Sequence, residues 1–264
     1  MITSLNPASH MSVADSPLEI TKDSIPTVDV NNLLFSWKKM EETILDISCF
    51  TVQRGEKVFL EGPSGSGKST FLSILAGVSE ATSGRISLLG QNLETLRGSG
   101  RDSFRADHIG VIFQMFNLLP YLSVIENVVL PCLFSHHRKE RVLSSGNVPD
   151  EEAIRILGRL GIAPPLFKKK VTELSVGQQQ RVAAARALLG QPEIIIADEP
   201  TSSLDEANRQ SFLDILFEEC RRSKSSLIFA SHDRALAHLF DRTVRLVEIN
   251  QAGTASATQK AEAN

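Results

Sequence analysis

A glycine-rich loop sets the class of this chain: Glu61-Gly62-Pro63-Ser64-Gly65-Ser66-Gly67-Lys68-Ser69-Thr70. It matches G-x-x-x-x-G-K-[S/T] and lies between an apolar strand pattern, Lys57–Glu61, and a helical pattern, Lys68–Ala76. Glycines let successive backbone N–H groups turn towards phosphate oxygens, and the following helix adds the positive end of its dipole. We expect Lys68 to reach the β- and γ-phosphates of a nucleotide and the Ser69 hydroxyl to ligate Mg²⁺. The alternative, a chance glycine-rich turn, is disfavoured by the placement between strand and helix.

Strand and helix patterns alternate on both sides of the loop, which predicts an α/β domain. Four strand patterns are continuously apolar, as is typical of strands covered on both faces of a parallel sheet: those containing Val58–Leu60, Ile109–Ile112, Ile194–Ile196 and Leu227–Phe229. Further predicted strands are Thr27–Leu34, Ile44–Val52, Arg85–Leu89 and Thr243–Glu248. Further predicted helices are Ser123–Val129, Asp150–Leu160, Gln178–Leu188, Glu206–Arg222 and Arg234–Leu239. Residues 115–171 lack a strand pattern, so a mostly helical insertion is expected at about 115–180.

The composition excludes several classes of protein. The chain has 264 residues, 42% hydrophobic and 22% charged, which is typical of a globular protein. The net charge of −3 provides no basic field for nucleic acid, and no apolar run is long enough to span a bilayer. The three cysteines form no CxxC pair or disulfide framework, and the start shows no secretory signal pattern. We expect disordered tails at 1–25 and 251–264 around one domain at 26–250.

Two carboxylates stand at the end of the predicted strand Glu193–Asp198: Asp198 is its last residue and Glu199 follows it. The carboxyl ends of parallel strands lie near the phosphate loop in such a sheet. Because consecutive strand residues point to opposite sides, we expect Asp198 to hold Mg²⁺ through water and Glu199 to act as a base on the attacking water. His232 follows the next buried strand, Ser226–Ala230, and is placed to contact the γ-phosphate or the water. Exposed acids that cap a strand are the alternative.

A second small-residue motif, Leu174-Ser175-Val176-Gly177-Gln178, comes at the start of the amphipathic helix Gln178–Leu188. Ser175 is suited to cap that helix and Gly177 permits close backbone approach, so this is a candidate second anion site. From the residues alone, an ordinary helix cap is the more frequent interpretation. The pair His136-His137 lies in a polar stretch without further ligands at suitable spacing, and we interpret it as a solvated loop.

Together these motifs resemble the ATP-binding subunit of an ABC transporter, over about residues 27–249. The resemblance implies a RecA-like P-loop NTPase core with an antiparallel β subdomain and a helical insertion subdomain. Gly62–Thr70 is similar to the Walker A loop, and Ile194–Glu199 is similar to Walker B with its catalytic Glu199. Leu174–Gln178, followed by Gln179-Gln180-Arg181-Val182, is similar to the family signature.

The remaining family motifs occur in the expected order: Gln114 as the Q-loop glutamine, Ser203-Leu204-Asp205 as the D-loop and His232 as the switch histidine. The nucleotide-binding residues that the resemblance implies are Trp37, Gly62, Pro63, Ser64, Gly65, Ser66, Gly67, Lys68, Ser69, Thr70, Gln114, Ser175, Val176, Gly177, Gln178 and Asp205. The implied catalytic residues are Glu199, His232 and Lys68, and the implied Mg²⁺ ligands are Ser69, Gln114 and Asp198.

Two positions depart from the family pattern. The third signature residue is usually glycine and here is Val176, whereas Gly177, which approaches the γ-phosphate in the family, is present. The aromatic residue that stacks on adenine is more often tyrosine, and here it is Trp37, which offers at least as large a ring face. A core tryptophan is the alternative interpretation of Trp37.

The resemblance also implies partners and a mechanism. Two copies would meet head to tail with ATP and Mg²⁺ between them, so that Gly62–Thr70 of one copy faces Ser175 and Gly177 of the other. Hydrolysis would remove the phosphate that both copies hold, and the dimer would loosen. An integral-membrane permease would bind the region Gln114–Val129 and place the subunit on the cytoplasmic face of the cell membrane. No nucleic-acid partner is expected.

Phe113–Pro120 and Glu126–Pro131 resemble the lipoprotein-releasing, macrolide-export and cell-division branch of the family. This implies export or release of a substrate such as a lipoprotein, a lipid or a drug. A mechanical or regulatory ATPase that acts on a membrane partner without transport is the alternative. A protein acting on ribosomes or DNA is a third hypothesis, disfavoured by the near-neutral charge and the single phosphate loop.

Overall fold

Two sheets and a group of helices make up the computed structural model, which describes residues 25–37 and 42–252. The strands are β1 (Val28–Phe35), β2 (Leu45–Val52), β3 (Lys57–Glu61), β4 (Ser83–Leu88), β5 (Gln91–Asn92), β6 (Ile109–Ile112), β7 (Ile194–Asp198), β8 (Ser226–Ser231) and β9 (Arg242–Arg245). The helices are α1 (Lys68–Leu75), α2 (Ser99–His108), α3 (Val124–Phe134), α4 (His136–Ser144), α5 (Pro149–Arg159), α6 (Val176–Leu188), α7 (Glu206–Ser223) and α8 (Leu246–Ile249).

The larger sheet has five parallel strands in the order β6-β7-β8-β3-β9. Its central strands are buried along nearly their whole length, which explains their continuously apolar sequences. In the register, Ala197 pairs with Phe229, and Leu60 pairs with Ala230. All carboxyl ends therefore lie along one edge of the sheet, and the segments that follow β3, β7 and β8 meet there.

The smaller sheet is antiparallel, with the strand order β2-β1-β4-β5. Buried and more exposed residues broadly alternate along β1 and β2, because one face of such a sheet covers the core. Helix α1 packs against this face, and the rings of Phe50 and Phe71 lie 5.1 Å apart in an edge-to-face arrangement. This contact fixes the helix that follows the glycine-rich loop.

Helices α3, α4, α5 and α6 pack on one another around a core that includes Val128, Leu157 and Val182. Capping boxes begin α3 and α6: Ser123 pairs with Glu126, and Ser175 pairs with Gln178. These caps fix where the two helices start, and for α6 the start is the small-residue motif noted in the sequence.

Several predicted elements differ from those in the structure. The predicted strand Thr243–Glu248 ends at Arg245, and α8 follows it. The predicted helix Arg234–Leu239 is a 3₁₀ helix. Pro131 lies inside α3 instead of ending it, so this helix reaches Phe134.

Besides α8, two further helices, α2 and α4, were not predicted. The ten residues of α2 include none that is buried, so no apolar periodicity marks the helix in the sequence. The interpretation of His136-His137 as a loop was wrong. Ser135 caps α4 by accepting a hydrogen bond from the Arg138 backbone N–H, and the pair starts this helix.

The predicted tails fall almost entirely outside the described residues, which begin at 25 and end at 252. The backbone N–H of Gln251 donates to the carbonyl of Asp46 at 2.8 Å, and Ala252 is buried. The packed chain thus continues past the predicted boundary at 250. No helix in the part of the chain that the structure describes is both long and apolar enough to cross a membrane.

Candidate nucleotide-binding site

A cavity of about 610 Å³ lies at the carboxyl edge of the parallel sheet. Four segments distant in sequence meet in it: the glycine-rich loop, Gln114, the pair Asp198 and Glu199, and His232. The lining residues are Ile44, Ser64, Gly65, Gly67, Lys68, Ser69, Thr70, Gln114, Asp198, Glu199, Ser202 and His232. A cavity with convergent polar groups at the end of a parallel sheet is the usual form of a ligand site in this architecture.

A second cavity, of about 690 Å³, lies at the opposite edge of the sheet, next to the amino ends of β3 and β8. Its lining includes Arg54, Phe217 and Cys220, but none of the residues predicted to bind nucleotide. Volume therefore does not decide between the two cavities. The convergence of reactive side chains favours the one at the carboxyl edge.

The backbone of the glycine-rich loop adopts conformations that need glycine. Gly65 and Gly67 have φ angles of +80° and +95°. Gly67 is the N-cap of α1 and offers no side chain to cap it, so the first N–H groups of this helix are open to a ligand. A Cβ atom at Gly62 would lie 2.5 Å from the Ser66 hydroxyl. The loop is thus curled tightly enough to cradle a phosphate group.

Lys68 is buried, and its amine points into the loop. The Nζ atom donates to the carbonyl of Gly62 at 2.6 Å and to that of Pro63 at 3.2 Å. It also lies 3.8 Å from Oε1 of Glu199. The amine is therefore held between the loop and the acidic end of β7. Three predicted residues of the loop, Gly62, Pro63 and Ser66, do not line the cavity, and the first two contact the lining residue Lys68 through their carbonyls.

Asp198 presents an unpartnered oxygen to the site. Its Oδ1 atom is buried without a hydrogen-bond donor among the described residues. Burial raises the pKa of Asp198, a hydrogen bond from Ser69 opposes this shift, and the charge of Glu199 adds to it. A desolvated carboxylate oxygen beside a serine hydroxyl is a donor set that fits Mg²⁺, which prefers hard oxygen ligands. The residues present therefore fit the metal.

Glu199 and His232 contact each other directly. Nδ1 of His232 lies 3.0 Å from each carboxylate oxygen of Glu199, and the Ser231 hydroxyl lies 3.3 Å from Oε2. Most of the Glu199 side chain is buried, whereas His232 is exposed. A buried carboxylate held from one side by a histidine is suited to bind and deprotonate a water molecule.

The expectation that Asp198 and Glu199 point to opposite sides of the sheet was wrong, because both line the same cavity. Strand β7 ends at Asp198, and Glu199 has a left-handed φ of +48°. Its N–H donates to the carbonyl of Ala230 at 2.9 Å. The alternation of side chains holds only within the strand, and the left-handed turn brings Glu199 back to the cavity.

The signature residues Ser175, Val176, Gly177 and Gln178 do not line this cavity. The Gln178 N–H donates to Ser175 Oγ at 3.3 Å, and the Ser175 N–H donates to Gln178 Oε1 at 3.0 Å. Val176 is 55% exposed. The motif is thus a capped helix start with an exposed surface, and within one copy it lies apart from the phosphate loop.

Asp205 and Trp37 also lie outside the lining of the cavity. Asp205 caps α7 by accepting hydrogen bonds from the backbone and side chain of Asn208, which lower the pKa of its carboxyl. Trp37 is 62% exposed and packs edge-on against Phe35, with 5.0 Å between the ring centroids. The alternative of a core tryptophan is therefore wrong.

Two cavity-lining residues were missed by the sequence analysis: Ile44, just before β2, and Ser202, between β7 and α7. Ile44 belongs to the segment that enters the antiparallel sheet, and only the packing of that sheet over α1 brings it to the loop. Ser202 lies between Glu199 and the D-loop motif Ser203-Leu204-Asp205. Its position three residues after Glu199 is the sequence feature that places it near the site.

Comparison with known proteins identifies the architecture. A family model described as ABC transporter matches residues 45–202. The chain is 44% identical over 196 residues to the ABC transporter ATP-binding protein YbbA of Escherichia coli K12, covering 74% of this chain and 82% of YbbA. It is 41% identical over 197 residues to the lipoprotein-releasing system ATP-binding protein LolD of Novosphingobium aromaticivorans, covering 75% of this chain and 84% of LolD.

A solved structure gives the same result. The dimeric post-hydrolysis state of the ATP-binding cassette MJ0796, bound to ADP and Pi, superposes with a TM-score of 0.74 at 30% identity. The match covers 85% of this chain and 95% of MJ0796. The predicted fold class, an α/β nucleotide-binding core with an antiparallel sheet and additional helices, is confirmed.

Proposed function

The chain belongs to the ABC transporter family as an ATP-binding subunit with an ATPase domain, and we propose that two copies of it close on ATP and drive a separate membrane permease. The observation that carries this proposal is the lining of one cavity. The phosphate loop, both carboxylates and His232 line it, whereas Ser175–Gln178 do not. One copy thus supplies the reacting groups of its own cavity. The capped start of its helix α6 lies outside that cavity and is available to bind the ATP of a second copy.

The phosphate loop supplies binding. Open N–H groups at the start of α1 and the amine of Lys68 are the donors for the phosphate oxygens. The Lys68 amine donates hydrogen bonds to the carbonyls of Gly62 and Pro63. When ATP binds, the amine donates to phosphate oxygens in their place. This arrangement positions the γ-phosphate beside the acidic end of β7.

Mg²⁺ would be held by Ser69, Asp198 and Gln114. Bound there, the metal supplies charge stabilisation of the phosphate oxygens. The unpartnered Asp198 Oδ1 and the neighbouring Ser69 hydroxyl support this assignment, and Gln114 brings a further oxygen to the same cavity. Desolvation of Asp198 raises the free energy of its charged form until a cation binds.

Glu199 acts as the general base. It accepts a proton from water as the water oxygen forms a bond to the γ-phosphorus, and the bond from that phosphorus to the β–γ bridging oxygen breaks. ADP leaves with the electron pair of that bond, and inorganic phosphate is the second product. His232 fixes the carboxylate of Glu199 through its contacts at 3.0 Å.

The second copy completes the site. Ser175 and Gly177 begin α6, a 13-residue helix whose first N–H groups form a further anion site. Asp205 of the D-loop lies near the same surface, since Gly177 packs against Leu204. Trp37 offers an exposed ring for adenine. The dimeric state of the MJ0796 cassette supports this pairing.

The segment Gln114–Val129 is the proposed contact with the permease. Met115 is 81% exposed and Tyr121 is 69% exposed, which is high for large apolar or aromatic side chains in a folded protein. We place the subunit on the cytoplasmic face of the membrane through this contact. Since lipoprotein-releasing proteins are among its relatives, export or release of a lipoprotein or lipid is the favoured activity of the complex.

The experiment that tests the pairing uses Glu199→Gln, which keeps the shape of the side chain but removes the base. With Mg-ATP this variant should form a stable dimer in sedimentation velocity, and with ATP and a chelator it should stay monomeric. Glu248→Gln, an exposed change beside Arg245, is the matched control and should leave hydrolysis and sedimentation unchanged. A Glu199→Gln protein that stays monomeric with saturating Mg-ATP and its permease would contradict the proposal.

A further inference from the structure

Arg186, near the end of α6, binds the segment that follows the Q-loop glutamine. Its Nη2 atom donates to the carbonyl of Phe116 at 2.7 Å, and its Nη1 atom donates to the carbonyl of Asn117 at 2.6 Å. Both ends of the guanidinium thus bind consecutive main-chain carbonyls, only two and three residues after Gln114. Such a forked contact fixes orientation as well as distance.

The segment that Arg186 binds has an unusual backbone. Phe116 and Asn117 have φ angles of +58° and +50°, in the left-handed region that residues with a side chain rarely adopt. Two such residues in succession persist only where surrounding contacts hold them. Backbone hydrogen bonds close the turn locally, since the Phe116 N–H donates to the carbonyl of Phe113 and the Asn117 N–H donates to that of Met115. Arg186 is the side chain that binds both left-handed residues.

The guanidinium of Arg186 is partly buried, and its hydrogen-bond partners are carbonyls. Arg186 forms no ion pair with any residue in 25–37 or 42–252, and burial lowers the pKa of its guanidinium to about 10. Arg155, in contrast, binds two carboxylates, whereas the buried Arg138 also binds main-chain carbonyls, those of Ile109 and Leu189 among them. The carbonyls of Phe116 and Asn117 compensate for the hydration that the guanidinium loses on burial, so the contact holds both the side chain and the segment in place.

Helix α6 connects this contact with the signature. Gly177 lies nine residues before Arg186, which is about 14 Å along the helix axis. The same helix therefore carries the signature at its start and grips the Q-loop segment near its end. A packed helix transmits a displacement as a rigid element.

We propose that Arg186 is a positioning residue that joins the Gln114 segment to α6, so that the metal ligand of one site and the signature of the other site move together. This rests on the proposed roles of Gln114 as a Mg²⁺ ligand and of Ser175–Gly177 as donors to the partner's ATP. Loss of Arg186 then has two effects. It misplaces Gln114, which weakens Mg²⁺ binding, and it uncouples nucleotide binding from closure of the dimer.

The variants that test this role are Arg186→Gln and Arg186→Lys. Arg141→Gln is the matched control, because Arg141 also donates to the carbonyl of a left-handed residue, Gln191 (φ +52°), but at the opposite edge of the sheet. A lysine keeps the charge but lacks the fork, so it should restore part of the function. Melting temperatures of all variants are measured in parallel.

Two readouts are used. The first is the Mg²⁺ concentration that gives half-maximal ATP hydrolysis, which Arg186→Gln should raise about tenfold, the effect expected when a metal ligand loses its supporting contact. The second is the ATP concentration that gives half-maximal dimer in the Glu199→Gln background, which should rise while binding of ATP to the monomer in the presence of a chelator is unchanged. Arg141→Gln should change neither value.

The inference is wrong if Arg186→Gln changes the melting temperature alone, as is expected of Arg141→Gln, and leaves both readouts at the parent values. Should Arg186→Gln not fold, Arg186→Lys is judged by the same two readouts. A Glu199→Gln parent that does not dimerise refutes the proposed function itself, independently of Arg186.

Discussion

Nδ1 of His232 lies 3.0 Å from both carboxylate oxygens of Glu199. The two residues follow neighbouring strands, β8 and β7, and the Glu199 N–H donates to the carbonyl of Ala230. Arg234, two residues after His232, donates to Glu61 at the end of β3. Glu199, the proposed base, and His232 are thus fixed by three adjacent strands.

His232→Ala should slow hydrolysis about 100-fold, because the carboxylate of Glu199 loses the contact that orients it. The KM for ATP should change little, since the exposed His232 contacts Glu199, and the donors assigned to the phosphates are in the phosphate loop. Steady-state ATPase assays measure both constants. His238→Ala, a change in the following 3₁₀ helix, is the control. A KM increase with an unchanged kcat would assign His232 to binding instead.

Lys68→Ala should weaken ATP binding by about 10- to 100-fold, the value of a lost hydrogen bond to a charged group. The reason is that the Lys68 amine is the cation held inside the loop. Isothermal titration of the monomer with ATP measures the change. Lys57→Ala, which removes an ion pair with Asp241 at the other edge of the sheet, should leave the affinity unchanged. Equal affinities for Lys68→Ala and the parent would contradict the assignment of the loop.

Gly177→Val should abolish the ATP-dependent dimer of Glu199→Gln and leave ATP binding by the monomer within about twofold. A Cβ atom at this position lies 3.2 Å from Leu204, so a larger side chain crowds the surface assigned to the second copy. Sedimentation velocity measures the dimer. Gly158→Val is the matched control, because a Cβ atom at Gly158 meets no atom within 4 Å. A dimer that survives in Gly177→Val would place the interface elsewhere.

Trp37 is the one tryptophan in the sequence, which makes its fluorescence a specific probe of the proposed stacking on adenine. ATP should quench this fluorescence, and tripolyphosphate, which lacks a base, should not. Trp37→Ala should weaken ATP binding by about tenfold, consistent with the loss of one stacking contact. If ATP and tripolyphosphate give the same signal, Trp37 does not stack on the base.

Glu219→Gln should lower the free energy of unfolding at pH 7 by about 3 kcal/mol. Burial raises the pKa of Glu219, but the hydrogen bonds and charge of Arg155, with the charges of Arg159 and Arg222, lower it below its ordinary value of 4.5 overall. A carboxyl with a lowered pKa in the folded state stabilises the protein above its unfolded pKa, and this stabilisation is lost as the pH falls.

The difference between Glu219→Gln and the parent should therefore shrink between pH 5 and pH 3. Urea unfolding at several pH values measures it. Glu218→Gln is the control, because Glu218 is exposed and forms a surface ion pair with Arg159, so its loss should cost less than about 1 kcal/mol. A Glu219→Gln deficit that does not vary with pH would mean that the ion pairs do not carry the effect.

Local sequence was sufficient for the phosphate loop and the central strands. The run Gly62–Lys68 specifies its own backbone, because Gly65 and Gly67 take conformations that other residues avoid. Strands β3, β7 and β8 are apolar along their length because both faces are covered. Helices α2 and α4 have no apolar periodicity that would predict them. No residue of α2 is buried, and the buried residues of α4 are Arg138 and Val142.

The sequence by itself determined the chemical groups of the site, because the loop, the two acids at the end of β7 and the histidine after β8 each belong to a short motif. Only the tertiary structure decided how they meet. The left-handed turn at Glu199 puts two consecutive carboxylates into one cavity, against the alternation of a strand. The fold also keeps Ser175–Gln178 out of that cavity and places Arg186 on the carbonyls after Gln114. The hydrogen bonds of Glu199 with Ala230 and of Arg186 with Phe116 join residues about 30 and 70 positions apart, for which a linear pattern carries no local signal.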